Sequence, residues 1–397
     1  MKAIINGNII TEDEILENAA VVIDEQYIVD IVPMAEADTA LALVTEVIDA
    51  RGGYVSPGFI DIHSDYIEGI VAPRPTSLMD VNMGIRESER ILSSHGITTM
   101  FHSLSIYRED LFGHKPIREP RNVEKLIQAI ARTHHEKHLI RHRLHTRFEL
   151  DAIEMLPILK QHIEAGNVHL LSFMDHTPGQ GQYRNLSIYR DTVKSYQNMS
   201  DTEIEQKIVD KAGYAQIGYD EMKEVADLAL VHNIAVASHD DDRTERIDFN
   251  ETIGTTISEF PITMEVAKYA YSRGQHTMAG APNIMLGGSH SGNLNAKDAI
   301  EADCISILCS DYYPAAMLHS VYKLHNEYNH PLEEAMKLIT INPARAVHMD
   351  HEIGSIAIGK KADINVIQCH NDYPVVTECI VDGAIISQYH YRIDEEA

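Results

Sequence analysis

The sequence predicts an α/β chain: a (β/α)8 TIM barrel with a small β-sandwich domain built from both termini. Three observations lead there. The middle of the chain alternates short apolar strands with helical stretches, the signature of a parallel sheet wound with helices. Both ends read instead as strands and turns. Imidazoles and carboxylates recur just after the middle strands, at the end of a barrel where chemistry is done.

Taken in order, residues 1–56 open with Ala3-Ile4-Ile5-Asn6-Gly7-Asn8-Ile9-Ile10, two strand stretches around an Asn-Gly turn signal. Ala20-Val21-Val22-Ile23 and Ile28-Val29-Asp30-Ile31-Val32 continue this style. Residues 351–397 return to it, with β-rich stretches at 354–367 and 375–386. The two ends are therefore expected to build one β unit around a barrel spanning 57–350. Strands are predicted at 58–62, 98–103, 144–150, 169–174, 235–238, 255–259, 276–279 and 304–309, with helices such as 122–132, 220–232 and 264–272 between them. Residues 178–219 read as a long polar insertion between two strands, a candidate lid or substrate loop.

Bulk properties bound the function. The chain has 397 residues and is 44% hydrophobic, enough for a large barrel plus a smaller domain. No apolar run approaches the ~18–20 residues of a membrane span, and the first residues read directly as a strand rather than a signal-peptide core. The four cysteines show no Cys-x-x-Cys spacing and read as buried thiols of a reducing, cytoplasmic setting. A net charge of −27 argues against nucleic acid or an anionic membrane as partner. It leaves room for a small anionic substrate, which a local arginine cluster or a metal can hold. Of the 23 histidines, the tract His134-His135-Glu136-Lys137-His138 with His142 and His145 reads mostly as a helix end running into a strand.

The chemistry begins at Pro57-Gly58-Phe59-Ile60-Asp61-Ile62-His63-Ser64-Asp65, an apolar strand leaving a Pro-Gly turn and ending in His-x-Asp. Alternation puts His63 and Asp65 on one face. Glu149 comes next on the third strand, His176 after the fourth, His239 with Asp240 and Asp241 after the fifth, Glu259 on the sixth and Asp311 after the eighth. A mixed nitrogen and oxygen donor set of this kind suits Zn²⁺, Mn²⁺ or Fe²⁺. After the seventh strand, Gly287-Gly288-Ser289-His290-Ser291-Gly292-Asn293 is a glycine-rich stretch whose N–H groups and side-chain donors suit phosphate oxygens. Arg74, Arg184 and Arg243 are candidate phosphate contacts, since guanidinium forks match phosphate.

These motifs resemble the amidohydrolase superfamily: the strand end 57–65, the late Thr340-Ile341-Asn342-Pro343-Ala344-Arg345 and the closing Gly359-Lys360-Lys361-Ala362-Asp363. Pro73-Arg74-Pro75, Met174-Asp175-His176-Thr177-Pro178-Gly179-Gln180, Glu259-Phe260-Pro261, Gly280-Ala281-Pro282-Asn283-Ile284 and Ser310-Asp311-Tyr312-Tyr313-Pro314 resemble one branch more closely. That branch cleaves the triphosphate of alpha-D-ribose 1-methylphosphonate 5-triphosphate in phosphonate metabolism, in the carbon–phosphorus lyase pathway. Three departures from the wider superfamily accompany it: Asp65 stands where a second histidine is usual, no lysine ends strand four, and strand six offers Glu259 instead of histidine.

The resemblance implies a divalent metal, zinc first and manganese or iron as alternatives, as one or two ions held by His63, Asp65, Glu149, His176, His239 and Asp311. It implies Asp311 as the base toward an attacking water, pyrophosphate as the product released, and a homo-oligomer. A deacetylase or cyclic amidase acting on a C–N bond, a hydrolase of another polyphosphate, and a non-enzymatic scaffold are the alternative readings.

Overall fold

The computed structural model describes residues 1–74, 76–108, 115–183, 186–196, 199–288 and 293–392. The terminal unit is a mixed sheet. Its first strands are β1 (Lys2–Ile10), β2 (Ile15–Asp24), β3 (Tyr27–Pro33), β4 (Glu46–Asp49) and β5 (Tyr54–Pro57). The barrel strands come next: β6 (Phe59–Ser64), β7 (Ile97–Ile106), β8 (Arg141–Glu149), β9 (Leu170–Met174), β10 (Ala235–His239), β11 (Ile257–Glu259), β12 (His276–Gly280) and β13 (Ile307–Cys309). The chain then returns to the terminal sheet as β14 (Ile364–His370), β15 (Tyr373–Val381) and β16 (Ala384–Gln388).

The eight barrel strands pair in chain order, all parallel. Closure comes from a parallel bridge between Ser64 and Asp311, at the ends of β6 and β13. Helices such as Pro120–Thr133, Tyr219–Val231 and Met264–Ser272 lie in the connections, so the predicted barrel is the observed one. Strands β6, β7 and β9 are buried along their whole length because both faces are covered. Ile60, Ile62, Phe101, Leu170, Ala237, Ile257 and Ile307 form one buried cluster with Ala344, Ala346 and Val347. The Thr340–Arg345 motif is thus a short helix, Ile341–Ala346, packed on the strands that precede it in sequence.

The terminal sheet runs β16-β15-β14-β5-β1-β2-β3, with β4 also on β1. The N- and C-terminal segments meet where β5 pairs antiparallel with β14. Their shared core holds Ile4, Ile9, Val21, Val55, Ile364, Val366 and Ile380. The switch of sheets at Pro57-Gly58 demands a glycine on steric grounds, since a Cβ on Gly58 would sit 2.3 Å from Thr98 Oγ1.

The insertion is helical rather than an open loop. Helices Leu186–Tyr196 and Asp201–Ala212 carry it, the second started by a capping box of Ser200 and Glu203. Tyr183, Tyr189, Val193 and Ile204 give it a small apolar cluster of its own. The polar composition read from the sequence is the solvent face of these helices. The cysteines Cys304, Cys309, Cys369 and Cys379 are free, and all but Cys369 are buried. No helix among the described residues is long and apolar enough to cross a membrane.

A buried ion pair ties the barrel to the terminal sheet. Arg141, at the start of β8, contacts the carboxylates of Asp363 and Asp382, while the Asp363 carbonyl accepts the Gly58 N–H at 2.8 Å. Arg141→Met leaves the Asp363 carboxylate buried without its counter-charge and should destabilise the fold by about 3–5 kcal/mol in denaturant unfolding. The Arg141→Met/Asp363→Asn pair should recover part of that loss. No loss in the single variant would show that the pair contributes little.

Candidate metal centre

Two groups of donors converge at the C-terminal ends of the barrel strands. In the first, His63 on β6, His145 on β8 and Glu259 on β11 bring one donor atom each within 4.8 Å of one another. His63 Nδ1 lies 3.3 Å and His145 Nε2 3.6 Å from Glu259 Oε1. In the second, His176 after β9 and His239 and Asp240 at the end of β10 do the same. Asp240 Oδ2 is 3.0 Å from His239 Nδ1 and 3.8 Å from His176 Nε2. The ring centroids of His63 and His239 are 5.5 Å apart, so the two groups share one site.

Local backbone geometry aims these side chains. Asp240, Phe260 and Asp311, each just beyond a strand end, have φ of 55°, 54° and 59°. Non-glycine residues rarely adopt this left-handed conformation, and its cost of about 1–3 kcal/mol is typical of functional sites. The hydrogen-bond ladder continues through them. The Asp240 N–H donates to the Glu259 carbonyl and the Phe260 N–H to the Met278 carbonyl, both at 2.9 Å. The Phe260 ring packs edge-on against His63 at 4.9 Å and against His239 at 5.3 Å.

The donor chemistry fits a divalent cation. Glu259 is fully buried, yet neither of its carboxylate oxygens accepts a hydrogen bond, and His63 Nδ1 is equally orphaned, while His239 Nδ1 has only the Asp240 carboxylate beside it. Buried lone pairs that converge without protons between them are costly unless a cation satisfies them. Burial, reinforced by the nearby Arg147 charge, holds His63 well below the ordinary imidazole range. Burial pushes His145 down to about 3 against the pull of Glu259. Both rings are therefore neutral and have a lone pair to give. His145 is oriented by Ser103 Oγ at 3.0 Å and Ser172 Oγ at 2.9 Å. His176 behaves differently: burial opposes its protonated form, but contact with the Glu149 carboxylate outweighs it and raises the ring.

Asp311 stands at the barrel closure. Its N–H donates to the His63 carbonyl at 3.0 Å, and its carbonyl accepts from the Asp65 N–H at 2.9 Å. Burial, reinforced by the Asp65 charge, pushes its carboxyl up to about 7. Asp61 sits nearby, with Oδ1 accepting from the Ser310 and His63 N–H groups at 3.1 and 3.3 Å. Burial raises Asp61 to about 6.

Of the residues selected from the sequence, His63, His176 and His239 are brought into the two donor groups, and Glu149 contacts His176. Asp65 belongs to neither group. It precedes the helix Tyr66–Val71 without a side-chain cap, and its Oδ2 lies 3.6 Å from Arg118. Arg74 is exposed and bridges to Ser77. Arg243 is half exposed and pairs with Asp242 at 3.0 Å. Gly287, at φ 76°, ends the helix Ala281–Leu286; the Gly288 N–H donates to the Asn283 carbonyl at 3.0 Å, and Asn293 is half-buried. Arg184, Ser289, His290 and Ser291 lie outside the described residues.

Sequence reasoning missed His145 and Arg147, and it noted Asp240 and Glu259 without placing them in the ligand set. The signal for the first two was present: His145, Arg147 and Glu149 are spaced i, i+2, i+4 on β8 and must share a face. The Arg147 guanidinium reaches His239 Nε2 at 3.4 Å and Met174 Sδ at 3.1 Å. The insertion also reaches the site, with the Tyr183 ring 6.0 Å from that of His176. Lys211 lines a cleft with Tyr107, Glu149, Asp151, His176 and Gln216.

A parallel barrel with a histidine–carboxylate site at its strand ends is the architecture of metal-dependent hydrolases, and the chain belongs to the amidohydrolase family, which its residues 54–386 match. It is 33% identical over 323 residues, 80% of this chain and 84% of the relative, to the alpha-D-ribose 1-methylphosphonate 5-triphosphate diphosphatase of Escherichia coli K12. Its fold is similar to N-acetylglucosamine-6-phosphate deacetylase from Pasteurella multocida, with a TM-score of 0.62 at 15% identity over 96% of this chain and 98% of that one. A D-hydantoinase gives a TM-score of 0.64 at 16% identity, covering 98% and 95%.

The ligand sets and the buried base are each open to test. After dialysis and elemental analysis, Glu259→Gln and His239→Ala should each retain about one equivalent less divalent metal than wild type, since a lost ligand opens the site. Full occupancy in both variants would remove the two groups as ligand sets. A separate measurement concerns Asp311 in chelator-treated protein. Its carboxyl titrates near 7 when folded but near 3.8 when unfolded, so its contribution to stability declines as pH rises from about 4 to about 7. Asn carries no such penalty. The stability gain of Asp311→Asn over wild type should grow across that window and then level off. A gain that is constant with pH would contradict the buried setting of Asp311.

Proposed function

We propose that the chain hydrolyses the triphosphate of alpha-D-ribose 1-methylphosphonate 5-triphosphate, releasing pyrophosphate in phosphonate catabolism. The observation that carries this reading is the 33% identity, sustained over four-fifths of the chain, to a diphosphatase of that substrate. The convergent donors and the strand-end Asp311 are consistent with it. The ions are proposed to be two Zn²⁺, one at His63, His145 and Glu259 and one at His176, His239 and Asp240, from the mixed N/O character of the donors.

A bound cation would supply positive charge to a phosphoryl oxygen and lower the pKa of a coordinated water. The chain's own residues do the rest. Asp311, ionised above about pH 7, accepts the proton of the attacking water at its carboxylate. Its backbone pairing with His63 and Asp65 anchors the residue at the strand end that carries His63. Lys211 brings positive charge to the cleft that Glu149 and His176 line, a position suited to the outer phosphates. The 287–293 stretch after β12 is the proposed contact for further phosphate oxygens.

A phosphorus NMR time course tests the reading. Zinc-loaded protein mixed with the ribose triphosphate should release pyrophosphate, and chelator should stop it. Asp311→Asn should fold and bind metal but turn over about 10²–10⁴-fold more slowly, the usual contribution of a positioned base. Wild-type-like rates in that variant would sink the role of Asp311. Absence of pyrophosphate from zinc-loaded wild type would move the assignment to another polyphosphate or to amide hydrolysis.

A further inference from the structure

Arg147 carries a charge that the proposed hydrolysis does not yet use. It lies on β8 midway between His145 and Glu149, about 6.6 Å of strand from each, and on their face. A guanidinium cannot be neutralised by losing its proton at any pH the protein meets. Held inside a barrel mouth, it therefore needs an anion.

Among the described residues it has none in direct contact. Nε donates to the thioether sulfur of Met174, a weak acceptor, and Nη2 to the imidazole nitrogen of His239. Among the described residues, no carboxylate lies within ion-pair distance of Arg147. The acidic groups around it are engaged elsewhere: Glu149 with His176, Asp65 with Arg118, Asp240 with His239, and Glu259 facing His63 and His145.

We propose that Arg147 is a substrate-binding residue, whose planar fork takes two oxygens of a phosphoryl group between the two donor groups. Carboxylate and phosphate both match that fork, but the carboxylates nearby face other side chains, Glu259 toward His63 and His145 and the rest toward their own partners, which leaves the guanidinium as the receptor for an entering anion. The position also suits negative charge that grows on phosphoryl oxygens during displacement. This inference rests on the phosphohydrolase reading for the identity of the substrate, and on the geometry of β8 for the existence of the anion site. It differs from the arginines selected by sequence: Arg74 and Arg243 are exposed or already paired, while Arg147 is inside the mouth.

The test uses inorganic phosphate as the probe, titrated calorimetrically into zinc-loaded wild type, Arg147→Lys and Arg147→Met. Zinc content and thermal midpoint are measured on the same samples. Loss of a hydrogen-bonded charge contact predicts phosphate binding weakened about 10- to 100-fold in Arg147→Met. Arg147→Lys, which keeps the charge but loses the fork, should fall between, with zinc content unchanged in both. Unchanged phosphate binding in zinc-replete Arg147→Met overturns the proposal. Loss of zinc in both variants also overturns it, assigning Arg147 to the support of His239 instead.

Steady-state kinetics with the ribose triphosphate separate this inference from the reading beneath it. Turnover by wild type with an unchanged KM and kcat in Arg147→Met defeats the Arg147 proposal alone. No turnover by wild type, with phosphate binding that still depends on Arg147, defeats the substrate assignment and leaves the anion site standing.

Discussion

The closure of the barrel between β13 and β6 is the contact on which the rest of the site depends. Asp311 pairs through its backbone with both His63 and Asp65. The same closure sets Ser310 against Asp61 and Ser64, through the Ser310 N–H at 3.1 Å and the hydroxyl pair at 2.8 Å. Residues far apart in sequence are thereby brought to one end of one sheet. Without closure, β6 and β13 would be opposite edges of an open sheet, and Asp311 would be remote from His63 and Asp65. The left-handed φ of Asp311 is the local cost of ending a strand in this way while keeping its ladder intact.

A barrel mouth of this kind sets stability against function. His63 and His145 are kept neutral by burial, carboxylates such as Asp311 and Asp61 are driven toward their protonated forms, and Glu259 is left without hydrogen-bond donors. Each arrangement disfavours the empty site and favours one filled by a cation. The rest of the fold offsets that cost with apolar strands covered on both faces, and with the Arg141–Asp363–Asp382 cluster that fastens the barrel to the terminal sheet. The insertion contributes at the rim. Its small core of tyrosines and aliphatics positions Tyr183 beside His176, and its second helix carries Lys211 into the adjoining cleft.

Alternation and periodicity exposed much of this in the chain itself. The eight barrel strands, the return of the C-terminus to the N-terminal sheet, and the placement of His63, His176, His239 and Asp311 at strand ends are local properties. They depend on which residues are apolar, how those are spaced, and which polar residues come directly after them. Errors arose where a local pattern had two readings. The polar stretch 178–219 looked like a loop because a short amphipathic helix on a surface shows mostly its solvent face. The histidines from 134 to 145 read rightly as a helix end running into a strand, but that reading passed over the spacing of His145 and Arg147 from Glu149, which puts all three on one face.

The sequence by itself determined the barrel, its sheet of mixed terminal strands, the family resemblance, and the kind of chemistry at the strand ends. Each of these comes from side-chain period and residue type. The tertiary structure alone decided which donors meet: that His145 joins His63 and Glu259, that Asp240 joins His176 and His239, that Asp65 turns to Arg118, and that Arg147 contacts Met174 and His239 rather than any carboxylate among the described residues. Alternation says which face a side chain takes along its own strand. How high it stands relative to a neighbour depends on the stagger between strands, and that stagger is set only when the barrel closes.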